Sequence, residues 1–259
     1  VELGEALGFR TRARLAVRGR ARAPKLGIFA EGTHRITDIP RCRIHHPLVN
    51  EVAAALRRAI RESGVAPYGE DSKLGQLRYA QIAVERATSR AQVVLVGNDE
   101  TPDPLRSTFA ALERELGSRL SGLFWNGNPG GGNAILGPLW EHVSGEEALR
   151  ETIAGVDVFQ PPGAFGQSNA ELFEVLASRA RTAVPAGARV KGDAEQLRVA
   201  FRNLIDNAVR YAGEDVRVDV RVRPVSARKL EIEFADLGVG IPASGLDRVF
   251  QRFSRLQQE

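Results

Sequence analysis

Apolar and polar residues follow two periods along this chain, and the periods sort it into strands and helices. From Arg10 to Arg18 the residues alternate, which places Arg10, Arg12, Arg14, Ala16 and Arg18 on one face of a strand. Leu26 to Ala30, the turn pair Glu31-Gly32 and Arg35 to Ile39 predict a hairpin. Pro47 to Ile60 carries Leu48, Val49, Val52, Ala53 and Leu56 at helical spacing. Gln92 to Val96 reads as a short apolar strand, Pro104 to Leu116 as a helix, and Leu120 to Trp125 as a strand. That strand runs into the turn-rich Asn126-Gly127-Asn128-Pro129-Gly130-Gly131-Gly132-Asn133, and Asn169 to Arg181 predicts a further helix.

After Pro185-Ala186-Gly187-Ala188 the pattern changes. Asp193 is placed to cap a helix running through Leu197, Phe201, Leu204, Ile205 and Ala208. Val216, Val218, Val220 and Val222 alternate with charged residues, as in a strand with one wet face, and Leu230, Ile232 and Phe234 repeat the pattern as the second arm of a hairpin. The expected fold class is α+β: an antiparallel-sheet-rich segment, residues 1–188, followed by part of an α/β sandwich, residues 189–259.

The 43% hydrophobic and 26% charged content is that of an ordinary globular chain. No run of about 18 apolar residues predicts a membrane span, and Val1 to Arg10 lacks the apolar stretch of a signal peptide, so cytoplasm is the expected compartment. The single cysteine, Cys42, excludes an internal disulfide and any site built from several thiolates. The absence of methionine is what an internal piece of a longer reading frame shows, with Val1 as an alternative start. Basic residues crowd the first fifty positions. Such clustering suits a polyanion such as RNA, because neutralising phosphates releases counterions; it also suits a merely solvated strand face.

The chemistry of the last seventy residues lies in three motifs. Asn203, Asn207 and Arg210 form one polar stripe of the predicted helix, and Tyr211 follows. Asparagine is a moderate helix former, so two of them one turn apart need a reason; an amide oxygen is a hard donor suited to Mg²⁺. Asp236-Leu237-Gly238-Val239-Gly240 comes directly after the second strand, where a carboxylate can accept from adenine's exocyclic amine and glycines let the backbone approach a ligand. Phe250 and Phe253 make the third element. In this order the three resemble the N box, first glycine box and F box of the histidine-kinase and gyrase ATPase superfamily, with its Bergerat-type sandwich. The resemblance implies Mg²⁺ on Asn207 supported by Asn203, Arg210 near phosphate, Tyr211 beside the base, and Asp236 on the adenine amine of ATP, with Gly238 and Gly240 lining the same site. The family continues into a lid and a second glycine box, whereas this chain ends at Glu259. Leu237 replaces a small polar residue, and none of His34, His45, His46 or His142 sits in a phosphoacceptor helix. A complete two-component kinase is not expected.

Residues 9–190 resemble the RNA uracil-5-methyltransferases, which modify ribosomal or transfer RNA with S-adenosylmethionine. The resemblance rests on Phe9-Arg10-Thr11-Arg12-Ala13-Arg14-Leu15, on Gly27-Ile28-Phe29 through Asp38-Ile39-Pro40-Arg41-Cys42, on Asn128-Pro129 with Asn133-Ala134-Ile135-Leu136-Gly137, and on Pro162-Gly163-Ala164-Phe165-Gly166-Gln167-Ser168-Asn169. It implies that Gln167, with Asn169 beside it, contacts the methyl donor, and that Arg10, Arg12 and Arg14 face RNA, where guanidinium forks suit phosphate. As a bare pair, Gln167 and Asn169 equally suit the cap of the 169–181 helix. Gly130 to Gly132 read as a strand connector, since no Lys-Ser/Thr follows to make a phosphate loop. The glycine-rich cofactor strand expected after Arg189-Val190 is replaced by Lys191-Gly192-Asp193. Methylation of uracil C5 needs a cysteine nucleophile, and Cys42 lies too early to match it. In some relatives a cysteine so placed helps hold an iron–sulfur cluster, but its three partners are absent, so a structural Cys42 is expected.

Three functions are open at this point: a defective or partnered RNA methyltransferase, a nucleotide-binding sensor-kinase remnant, and a fusion of two incomplete segments without complete catalysis of either kind. The change of character near residue 190 favours the third as origin.

Overall fold

The computed structural model describes residues 5–33, 35–130, 134–164, 166–183, 201, 218–226 and 229–236. The chain divides into two compact units, residues 2–175 and 176–259. The proposed junction at 188/189 lies outside the described residues.

The first unit is built on seven strands: β1 (Arg12–Arg20), β2 (Ala23–Phe29), β3 (Ile36–Asp38), β4 (Leu77–Glu85), β5 (Arg90–Gly97), β6 (Leu120–Gly127) and β7 (Leu139–Gly145). Their order is β3-β2-β1-β4-β5-β6-β7, and every neighbouring pair is antiparallel except β5–β6. A parallel pair needs a crossover, and α2 (Arg106–Leu116) supplies it between β5 and β6. The α+β class read from the sequence holds.

Helix α1 (Pro47–Ser63) shows why a helix forms there. The imidazole of His46 accepts from the Leu48 N–H at 3.2 Å, Pro47 opens the first turn, and Gly64 closes the last one at φ +70°, its N–H bonded to the Ile60 carbonyl. The stripe predicted from spacing, Leu48, Val49, Val52, Ala53 and Leu56, is buried together with Ile60. With Phe109 and Leu112 of α2 it covers one face of the sheet: Leu15 and Val17 of β1, Ile82 and Val84 of β4, Val93 and Leu95 of β5, Leu123 and Trp125 of β6. Each fully buried aliphatic side chain contributes about 1.5–3 kcal/mol.

The opposite face is buried too, which alternation in β1 did not predict. Arg18 is only 7% exposed. It donates to the Arg78 carbonyl, pairs with Glu70, and lies against the rings of Phe29, Tyr68 and Tyr79. The wet arginine face therefore stops short of Arg18. β4 was invisible to alternation because both its faces are covered; Ala80, Gln81, Ile82, Ala83 and Val84 are all buried. β8 (Leu149–Ile153) and β9 (Val156–Gln160) form a hairpin, and α3 (Ala170–Ala183) follows. In the second unit β10 (Val218–Ser226) and β11 (Lys229–Asp236) pair antiparallel, as the valine alternation predicts.

Glu85 ends β4 buried, with one carboxylate oxygen lacking a hydrogen-bond partner. Burial raises its pKa above the usual carboxylate range; Glu146 and Glu151 add to this, while Thr88 and Arg90 oppose it. A carboxylate raised on folding contributes full stability below its unfolded pKa and loses it as pH rises through the folded value. Glu85→Gln is thus expected to stabilise the first unit at pH 8 by about 1–3 kcal/mol, the cost of an unsatisfied buried group. The gain should vanish towards pH 4. Urea denaturation at both pH values checks this, and a gain that grows on acidification would contradict it.

Candidate functional site

The covering of the second sheet face is an irregular strap, residues 161–164 and 166–168, which continues from β9 over the arginine side of β1. Arg12 holds it. Its guanidinium donates to the Gln160 side chain and, at 3.4 Å, to the Ala164 carbonyl. Gln81 of β4 donates to the Pro162 carbonyl at 2.6 Å while its own oxygen accepts from Arg14 Nε at 2.8 Å. The Ser168 carbonyl accepts the Thr11 N–H at 2.9 Å. A Cβ on Gly166 would lie 2.4 Å from Arg12 Nε, so any larger residue there would have to displace the guanidinium from its present place against the strap.

Two groups of residues that the sequence kept apart are thereby brought together. The methyltransferase resemblance implies an RNA-facing role for Arg10, Arg12 and Arg14 and contacts to a methyl donor for Gln167 and Asn169. Arg10 bridges to Asn169 on one side and to His45 on the other. Burial, and then the Arg10 charge, hold the His45 imidazole below its usual pKa. Arg12 is half-buried and committed to the strap, whereas Arg10 and Arg14 are exposed. Gln167 is half-buried. Asn169 does act as a cap: its Oδ1 accepts the Leu172 N–H at 3.0 Å at the start of α3. Only its amide N–H groups remain for a ligand.

The asparagine-rich stretch after β6 is a loop closed by its own side chains. Asn126, which with Gly127 belongs to the strand rather than to the turn, donates to the Gly137 and Leu139 carbonyls at 2.9 and 2.8 Å. Asn128 donates to the Ala134 carbonyl at 2.7 Å, and Arg78 reaches the Asn128 and Gly130 carbonyls. These asparagines are spent on backbone, as a connector requires. Between this sheet end and the strap opens a cleft of ≈ 480 Å³, with Trp140 and His142 of β7 facing Pro161 to Ala164. Sequence reading missed Gln81, Gln160, Trp140 and His142; the period-two spacing of the last two was the available signal.

Cys42 is half-buried, with its backbone N–H and carbonyl both bonded to the Asn50 side chain. Among the described residues no group of three His, Cys, Asp or Glu could hold a metal, and no helix is long and apolar enough to cross a membrane. Asn203, Asn207, Arg210, Tyr211, Gly238 and Gly240 lie outside the described residues. Asp236 is the last residue of β11, paired with Val218. The Phe201 ring, two residues ahead of Asn203, meets Phe234 of β11 at 5.9 Å between centroids, against the strand that leads to Asp236.

Residues 192–259 match the family of histidine kinase-, DNA gyrase B- and HSP90-like ATPases. An uncharacterised RNA methyltransferase of Protochlamydia amoebophila is 36% identical over 193 residues, covering 72% of this chain and 50% of that relative. One of Geobacter sulfurreducens is 29% identical, over 63% of this chain and 33% of its own. The chain thus spans half or less of the length of these relatives. The crystal structure of the Pyrococcus abyssi tRNA (uracil-54, C5)-methyltransferase with S-adenosyl-L-homocysteine superposes with a TM-score of 0.57 at 22% identity, over 70% of this chain and 42% of that one, and so shares the fold. The chain is a composite in its likenesses, similar to RNA methyltransferases over its larger part and to the histidine kinase-, DNA gyrase B- and HSP90-like ATPases over residues 192–259.

Proposed function

We infer that residues 1–188 are the RNA-facing, donor-positioning part of an S-adenosylmethionine-dependent RNA (uracil-5-)-methyltransferase, joined to an adenine-nucleotide-binding segment, residues 189–259. The observation that carries this reading is the strap: the segment bearing Gln167 is fastened to β1 by Arg12, Gln81 and Thr11. Its donor set fits the amino-acid end of the methyl donor. The Gln167 carboxamide can both donate and accept, and Asn169, with its oxygen already used in the cap, can still donate to a carboxylate. When bound, S-adenosylmethionine would supply the methyl group. The residues of this chain would orient it, and Arg10 and Arg14 would engage RNA phosphate. A cysteine nucleophile is the element this sequence does not offer, since Cys42 is its one cysteine and lies in the first quarter of the chain.

The test uses the full chain. Calorimetry should find weak S-adenosylhomocysteine binding that Gln167→Ala lowers at least tenfold. RNA binding should weaken steeply with salt, and Arg10→Ala with Arg14→Ala should flatten the log–log slope by roughly 0.7 for each phosphate of a single strand that is no longer neutralised. Labelled S-adenosylmethionine with total RNA should transfer no methyl. Stoichiometric transfer abolished by Gln167→Ala would overturn the non-catalytic part of the reading. An unchanged salt slope would return the arginines to a solvated role.

A further inference from the structure

The cleft beside the strap has a wall that the methyl-donor reading does not use. Trp140 is 40% exposed, and a Cβ on Gly163 would lie 3.3 Å from its Cζ2, so the strap backbone lies against the benzo edge and leaves the rest of the ring open. Two residues on, His142 stacks on Phe124 with centroids 4.9 Å apart and planes 28° from parallel. Trp140 and His142 project from the same side of β7. A half-exposed indole face offers a flat ligand a stacking surface whose cost of ordering is two side-chain torsions.

Besides the His142 imidazole and the Trp140 indole N–H, the polar side chains of the cleft are the carboxylates of Glu141 and Glu147. Glu141 is turned towards Arg106 of α2, 2.7 Å away. Glu147 is exposed, and no ion pair is found for it among the described residues. Among the described residues no Lys or Arg lines the cleft, which gives a phosphate no counter-charge there. A flat aromatic wall beside a free carboxylate suits a ring with adjacent N–H donors. Among nucleobases only guanine presents two neighbouring donors, N1–H and the N2 amine, which one carboxylate can accept together. Adenine and cytosine set one donor beside an acceptor, and uracil sets its single N–H between two carbonyls that a carboxylate repels.

We propose that this cleft binds an unstacked guanine of single-stranded RNA, its ring against Trp140 and its N1–H and N2 amine on Glu147. The proposal rests on the RNA-facing reading and adds a base-specific subsite for a nucleotide near the target. The strand's phosphates would find their counter-charge elsewhere on the same sheet face. Arg14, Gln81, Val94, Phe124 and His142 form one cross-strand row, which puts Arg14 four strand spacings from His142, about 19 Å. An oligonucleotide of several residues reaches both.

The experiment titrates the full chain with single-stranded RNA decamers: uniform uridine, and the same strand with one central guanosine, adenosine or cytidine. The chain has two tryptophans, and Trp125 is only 3% exposed, so quenching of the solvent-facing emission reports Trp140. The guanosine decamer should bind at least tenfold tighter than uniform uridine and quench that emission. Trp140→Ala should weaken it at least tenfold, within the range of losing one stacked base. Glu147→Gln should bring guanosine down to the level of adenosine. Unchanged buried emission from Trp125 shows that each variant is folded. Equal affinity for all four decamers, or a guanosine preference that survives both substitutions, overturns the proposal. Salt-dependent binding without base preference would leave the RNA-facing reading standing and remove this subsite; absence of RNA binding would remove both.

Discussion

Replacing Arg12 by alanine together with Gln81 by leucine should free residues 160–166 from the sheet and lower S-adenosylhomocysteine affinity at least tenfold. Arg12 donates to Gln160 and Ala164, and Gln81 donates to Pro162; these three bonds tie the strap's first half to β1 and β4. A hydrogen bond to a charged group contributes about 1.5–3 kcal/mol, and a carbonyl left buried without its donor costs about 1–3 kcal/mol. Removing both side chains at once exceeds what a loop of this length regains by relaxing. Hydrogen exchange across 160–168 should rise while exchange in β5 and α1 stays slow, because the helix-covered core is untouched. Arg12→Lys should rescue only partly, since an ammonium keeps the charge but lacks the planar fork. Unchanged exchange in the strap would show that its position does not depend on β1.

The second large effect is expected at Asp236. If its carboxylate accepts adenine's amine, Asp236→Asn should lower ADP affinity at least tenfold, as a charged acceptor is exchanged for a neutral one. Inosine diphosphate, which lacks that amine, should bind the parent chain as poorly as ADP binds the variant, and the substitution should not weaken it further. Calorimetric titration of both nucleotides against both proteins gives the four values. Equal ADP affinity in parent and variant would remove Asp236 from the adenine site. Asn207→Ala in the same titration should abolish any help from Mg²⁺.

Legibility in the sequence followed burial. Where one face of an element is wet, the period survives, and α1 and β10–β11 were readable from Leu48, Val52 and Leu56 or from Val218, Val220 and Val222. Where both faces are covered the period disappears, and β4 went unnoticed although Leu77 to Glu85 is almost entirely buried. The arginine alternation of β1 was real, but its meaning was decided by a segment about 150 residues away. Nothing near Arg12 announces that Gln160 and Ala164 will take its guanidinium. Arg18 differs again, because only the fold assembles Phe29, Tyr68 and Tyr79 around it. Asn169 was legible as one of two alternatives, and the local geometry supports the cap, which any short helix start offers. Trp140 and His142 stand two apart in a mostly exposed strand, a spacing too short to mark the strand without apolar neighbours to extend it.

The bond from Thr11 to Ser168 and the bridge from Arg10 to Asn169 set the beginning and the end of the first unit side by side. A module whose two ends emerge together can be spliced, permuted or given a different successor without stretching its sheet, because the incoming and outgoing chain share one doorway. Exchange of the downstream gene segment is therefore mechanically inexpensive for this half, and a circular permutant that joins residues 10 and 169 by a short linker, with new ends in the 98–102 turn, should fold to the same sheet.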